Sequence, residues 1–153
     1  MSPRPTGEVG RIRVGPGWRA ALRPLALAWA LPNTIPGLIL VALALLTGGR
    51  VTPVHGVLEV CGGLIARMFD RGPLARARVA AVTLGHVVLA PNPLVLDQSR
   101  AHERTHVRQC ERWGPLFLPA YAAASIWAML RGRDPYRDNL FEREAMAVSE
   151  EGK

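Results

Sequence analysis

A chain of 153 residues provides one domain with a modest core and no room for a second catalytic lobe, so a single site is expected. Nineteen basic against twelve acidic residues give a formal net charge of +7, but all the basic residues except Lys153 are arginines in a chain also rich in Ala, Leu, Pro and Gly. That pattern reads as codon bias, and the absence of an aromatic-interleaved basic stripe or nucleic-acid motif excludes nucleic acid as the expected partner; Cys61 and Cys110, neither in a Cys-x-x-Cys pair, exclude a disulfide framework and a thiolate metal site.

Residues 1–23 carry Arg4, Arg11, Arg13, Arg19 and Arg23 against Glu8, with scattered Pro and Gly, and read as a basic N-terminal arm. Residues 24–49 contain no charged side chain, and the runs Leu25 to Leu31 and Leu38 to Leu46 are almost wholly apolar. About 20 such residues span a bilayer. Pro32, Pro36 and Gly37 interrupt the run and oppose an ideal helix. A Pro-kinked transmembrane helix is the first expectation; two half-helices in one leaflet and a helical hairpin buried in a soluble protein are the others. A signal peptide fits poorly, because the basic region is long and no small-residue cleavage site follows. The arginines on the N-terminal flank put the N-terminus on the cytoplasmic side, although Arg50, Arg67, Arg71, Arg76 and Arg78 blunt the asymmetry. Membrane association, at a bacterial inner membrane, and lipid contact are expected.

Residues 50–153 form the remaining unit. Val51 to Val54 and Val57 to Val60 flank His55-Gly56 and predict a hairpin with a tight turn. Val79 to Leu89 is a further Val-rich strand region, for three or four short strands in all, ended by Pro91-Asn92-Pro93. A helix capped by Asp97 or Ser99 runs to Trp113, where Gly114-Pro115 stops it. Leu116 to Leu130 is a second apolar segment, either a core helix or one lying against a bilayer, and Arg131 to Pro135 is a loop. Asn139 to Ser149 is the last helix.

The chemistry sits on the helix before Trp113, in His102-Glu103-Arg104-Thr105-His106. Residues four apart share one helical face, so both imidazoles reach one ion while Glu103 points beside it. A zinc ion so held takes two nitrogens, needs a third protein ligand, and lowers the pKa of a bound water toward about 7. Glu103 then accepts that water's proton as general base. The residues after His106 are Val107, Arg108, Gln109 and Cys110, which excludes the extended His-x-x-Gly-x-x-His form. Asn139 to Ala145 offers Glu142 and Glu144 two residues apart, pointing in different directions; Glu142 is the preferred third ligand and Glu144 the fallback.

His102 to His106 followed by Phe141-Glu142-Arg143-Glu144-Ala145 resembles the gluzincin metallopeptidases, including membrane-embedded forms such as the CAAX prenyl protease family. It is also similar to small bacterial proteins carrying an H-E-x-x-H-x-x-Gln helix, then Gly-Pro-Leu, a Tyr-containing apolar helix and an Asn-x-Phe-Glu-x-Glu-Ala helix. Gln109, Gly114 to Leu116, Tyr121 and Asn139 to Ala145 fill those positions. The resemblance covers Ser99 to Val148, a third of the chain. It implies an α+β fold, a zincin-like minidomain of a few short strands, an active-site helix and a C-terminal ligand helix, preceded by the apolar segment. It implies one zinc ion, Glu142 as third ligand, and hydrolysis of a peptide or protein substrate near the membrane. Membrane gluzincins place an aspartate four residues after that glutamate to brace a zinc-bound histidine; Met146 stands there, so Gln109 or Glu144 is expected to brace it instead.

His86 and His55 read as strand and turn residues, Tyr121 and Tyr136 as oxyanion donors or packing anchors, and Arg108 and Arg112 as solvated. Two rival readings remain: a catalytically inactive zinc-binding module of the membrane, and a basic membrane adaptor in which the motif is accidental.

Overall fold

The structure is a computed structural model that describes residues 17–72, 74–75 and 79–151. Most of the expected basic arm therefore lies outside the described residues, and its last part belongs to a helix. That helix, α1, runs Gly17–Leu46 as one element of 30 residues with Pro24, Pro32 and Pro36 inside it. The expected interruption thus leaves one helix, neither a hairpin nor two halves, and tertiary bonds made by the interrupting segment explain why. Asn33 donates from Nδ2 to the Gly114 carbonyl at 2.6 Å, and the Thr34 hydroxyl accepts from the His86 amide at 3.2 Å while donating to the Ala30 carbonyl at 3.1 Å. The polar residues between the prolines are where α1 is bonded to the rest of the protein.

Four strands follow: β1 (Arg50–Val54), β2 (Val57–Cys61), β3 (Val82–Leu84) and β4 (Val87–Ala90), ordered β1-β2-β4-β3 in one sheet. The His55-Gly56 turn joins antiparallel β1 and β2 with positive φ at both residues, 46° and 82°, the geometry of a primed turn that matches strand twist. The Val79 to Leu89 region is two strands rather than one, because Gly85, with φ 60°, opens a second hairpin. A side chain at Gly85 would also collide with Thr34 of α1. His86 accordingly sits in a turn and not in a strand. β2 and β4 are parallel, with Val60 opposite Leu89, and parallel neighbours need a crossover. Helix α2, Gly63–Asp70, begins that crossover and buries Ile65 and Phe69 one turn apart. Eight residues between two strand regions give too short a period to stand out in the sequence.

The central strands are buried on both faces, which is why Val87-Val88-Leu89-Ala90 reads as an unbroken apolar run. Val60, Val87 and Leu89 face α1 and α2 with Ala44, Ile65 and Phe69. Val57, Cys61, Val88 and Ala90 face Leu96 and Val107 of the next helix, α3 (Pro93–Trp113). That helix starts five residues earlier than a cap at Asp97 implies: the Asn92 side chain accepts from the Val95 amide at 3.0 Å and Pro93 takes the first helical turn, so the breaker is a start signal. A single 3-10 turn, Gly114–Leu116, leads into α4 (Phe117–Leu130), and α5 (Leu140–Glu151) closes the chain. Ala30, Cys110, Phe117 and Phe141 form a third cluster where α1, α3, α4 and α5 meet. The fold is mixed α+β, as the sequence indicates.

Candidate metal centre

α3 places His102 and His106 one turn apart, and α5 brings Glu142 to them. The imidazole Nε2 atoms of His102 and His106 lie 3.1 Å apart. Glu142 Oε2 is 3.2 Å from His102 Nε2, and Glu142 Oε1 is 3.3 Å from His106 Nε2. One donor atom from each of the three residues lies within 4.8 Å of the others. Tetrahedral zinc with bonds of about 2.0–2.1 Å sets its ligand atoms about 3.3 Å apart, so the spacing suits a single small cation.

Glu142 Oε2 is buried without a hydrogen-bond partner among the described residues. Its one close polar contact is His102 Nε2 at 3.2 Å, and a buried carboxylate is costly unless a cation, a protonated imidazole or a metal ion, meets it. The donor set, two imidazoles and a carboxylate with one corner open, fits zinc. Burial by itself would raise the Glu142 carboxyl, but the imidazoles of His102 and His106 and the Tyr121 hydroxyl outweigh it and hold that carboxyl well below the usual carboxylate range. Tyr121 donates to Glu142 Oε1 at 2.6 Å. Burial and the Glu142 carboxylate push the Tyr121 phenol up, so it keeps the proton it donates.

No family model matches the chain, and no curated protein or solved structure is significantly similar to it. What the centre can do therefore rests on its own side chains. Gln109 is fully buried and fully occupied. Its Nε2 donates to the Phe141 carbonyl at 3.0 Å and to Glu144 Oε2 at 2.9 Å, which turns Oε1 toward His106 Nδ1 at 2.8 Å. His106 must then carry its proton on Nδ1, leaving the Nε2 lone pair for a metal. Glu144 points away from the imidazoles and reaches Arg112 Nη1 at 3.4 Å. Arg112 thus contacts the carboxylate that anchors Gln109.

Glu103 is buried next to the cluster, and the Thr83 hydroxyl donates to its Oε2 at 2.6 Å. Burial raises the Glu103 carboxyl above its ordinary value, against the pull of Thr83, His106 and His102. Thr83 was not legible as a site residue; its only trace is one hydroxyl in the apolar strand Val82-Thr83-Leu84. Asn139 was named only as the first position of the Asn-x-Phe-Glu-x-Glu-Ala pattern, and its role comes from its contacts. It is buried, donates to the Tyr121 carbonyl at 3.1 Å and the Ser125 hydroxyl at 2.8 Å, and accepts from the Phe141 amide at 2.9 Å. This fastens the start of α5 to α4 and turns Glu142 into the cluster rather than back toward Asn139. His102, Glu103, His106 and Glu142 share a cavity of about 230 Å³ with Thr83, Tyr121 and Tyr136. His55 and His86 lie outside it, and His86 Nε2 is 3.0 Å from Glu111 Oε1.

Proposed function

We propose that this chain is a zinc-dependent metallopeptidase of the gluzincin kind, hydrolysing peptide bonds of a peptide or protein at a membrane. The observation that carries the reading is the convergence of the two imidazole Nε2 atoms and the buried Glu142 carboxylate, whose Oε2 makes no hydrogen bond among the described residues, on one point. Bound there, zinc would acidify water and polarise a substrate carbonyl. His102, His106 and Glu142 would hold the ion. Glu103, raised by its burial and oriented by Thr83, takes the proton from the attacking water and returns it to the leaving amine. Tyr121 fixes the third ligand, and Tyr136 stands at the same cavity within reach of a substrate carbonyl's developing charge. Purified protein is expected to hold about one zinc per chain by elemental analysis, and His102→Ala or His106→Ala protein almost none. Unchanged zinc in either variant would end this reading.

Two helical stretches, Arg23–Leu46 and Pro93–Leu130, are long and apolar enough to cross a membrane. α1, however, packs along its length on β1 to β4, α2 and α3. A span would draw an open sheet edge and a charged helix to hydrocarbon depth, where neither is tolerated. The proposal places the protein on a bacterial inner membrane, N-terminus cytoplasmic, resting on lipid through outward faces of α1 and α4. Leu25, Ile39, Leu46, Trp127 and Leu130 are exposed there, Leu130 at 77%. Trp127→Glu with Leu130→Glu is expected to lower the membrane-bound fraction severalfold in flotation assays, with zinc content unchanged; full retention on membranes would overturn this placement.

A further inference from the structure

The face of α3 opposite the two imidazoles carries charge that the peptidase reading does not use. Arg100, Arg104, Arg108 and Glu111 recur three and four residues apart, and a shift of two residues from His102 or His106 turns about 200° around a helix. These side chains line a cavity of about 790 Å³, larger than the one at the metal centre. The two hairpin turns, at His55-Gly56 and His86, and Arg23 of α1 complete its wall.

Arg100 is neutralised: its Nε is 2.9 Å from Glu59 Oε1 and its Nη1 2.6 Å from Asp97 Oδ1. The other three are not. Arg104 donates to the carbonyls of His55, at 3.3 Å, and Val54. Arg108 donates to the Thr105 hydroxyl at 3.0 Å. None of these acceptors carries charge. Arg23 stands against Gly56, where a Cβ would collide with the guanidinium. Among the described residues no carboxylate pairs with Arg23, Arg104 or Arg108; Glu111, the one acid lining the cavity, contacts His86. Three guanidinium charges against that one carboxylate leave the concavity net positive and repel one another, an arrangement that an anion with several oxygens relieves.

We propose that this cavity binds a phosphate group. Its source is either the headgroup of an anionic phospholipid or free phosphate. Leu27, four residues on from Arg23 and so on the same side of α1, is exposed, which brings an apolar surface beside the cavity and a headgroup within reach. The site stands whether or not the metal centre is a peptidase, since it uses none of the same side chains.

Inorganic phosphate titrated calorimetrically into the full chain, and flotation with phosphatidylcholine vesicles with or without phosphatidylglycerol, test this. Arg23→Gln with Arg108→Gln alters two exposed side chains and should leave the fold intact. Arg67→Gln with Arg71→Gln removes the same charge from exposed positions at the end of α2 that do not line the cavity. Binding is expected to weaken at least about tenfold in the first pair only. If the first pair also loses its preference for phosphatidylglycerol and phosphate competes with the vesicles, the headgroup is the source; phosphate binding with no such preference assigns free phosphate. Equal losses in both pairs, loss in neither, or wild-type protein indifferent to both probes overturns the site.

Discussion

Glu103→Gln protein is expected to lose peptide hydrolysis by about 10²–10⁴-fold in kcat, some 3–5 kcal/mol of activation free energy, while its zinc content stays at the wild-type level. The amide has the shape of the carboxylate and can still accept from Thr83, so the strand-to-helix bond at 2.6 Å has a successor and the fold has little reason to change. What the amide lacks is basicity. Glu103 is not among the three residues whose donor atoms converge, so metal binding should be insensitive to the change. Cleavage of a quenched fluorescent peptide library, read beside elemental analysis, separates the outcomes. Wild-type turnover in the variant would remove Glu103 from the mechanism; a zinc-loaded wild type with no cleavage at all would favour the inactive module.

The second large effect concerns the two acids of α5. Glu142→Ala is expected to weaken zinc binding at least about a hundredfold, because two imidazoles alone make a poor site and the Tyr121 hydroxyl loses its acceptor, at about 1–3 kcal/mol. Glu144→Ala removes only the far end of the chain from His106 through Gln109, so the loss should be about ten- to a hundredfold. Competition with a fluorescent zinc chelator measures both. A larger loss at Glu144 than at Glu142 would reverse the assignment made from the geometry.

The imidazole pair was legible because helical periodicity alone puts His102 and His106 side by side. Glu142 was preferred over Glu144 on the last helix and supported by a resemblance in the pattern around it, and Gln109 was named with Glu144 as a brace; the structure brings Glu142 and Gln109 to the pair at 3.3 and 2.8 Å. Thr83 was not legible, and Asn139 was legible as part of a pattern but not for what it does, since each acts through a contact between separate elements, which local pattern does not encode. The first hairpin announced itself through His55-Gly56, whereas the second hid inside an apolar stretch whose single glycine could as well have been a bulge. Pro91-Asn92-Pro93 misled because proline ends one element and begins the next equally well. Pro32 and Pro36 misled because tertiary bonds from Asn33 and Thr34 outweigh local propensity.

Those two bonds have a geometric consequence. Asn33 clamps α1 to the turn that leads out of the helix carrying His102 and His106, and Thr34 clamps it to the hairpin whose first strand supplies Thr83. The exposed apolar face of α1 is thereby tied to the proposed metal centre. If the proposed peptidase lies with α1 on a bilayer, its cleavage point would stand at a set height above the headgroups, and targets would be sorted by how far their scissile bond lies from the membrane plane more than by their residues.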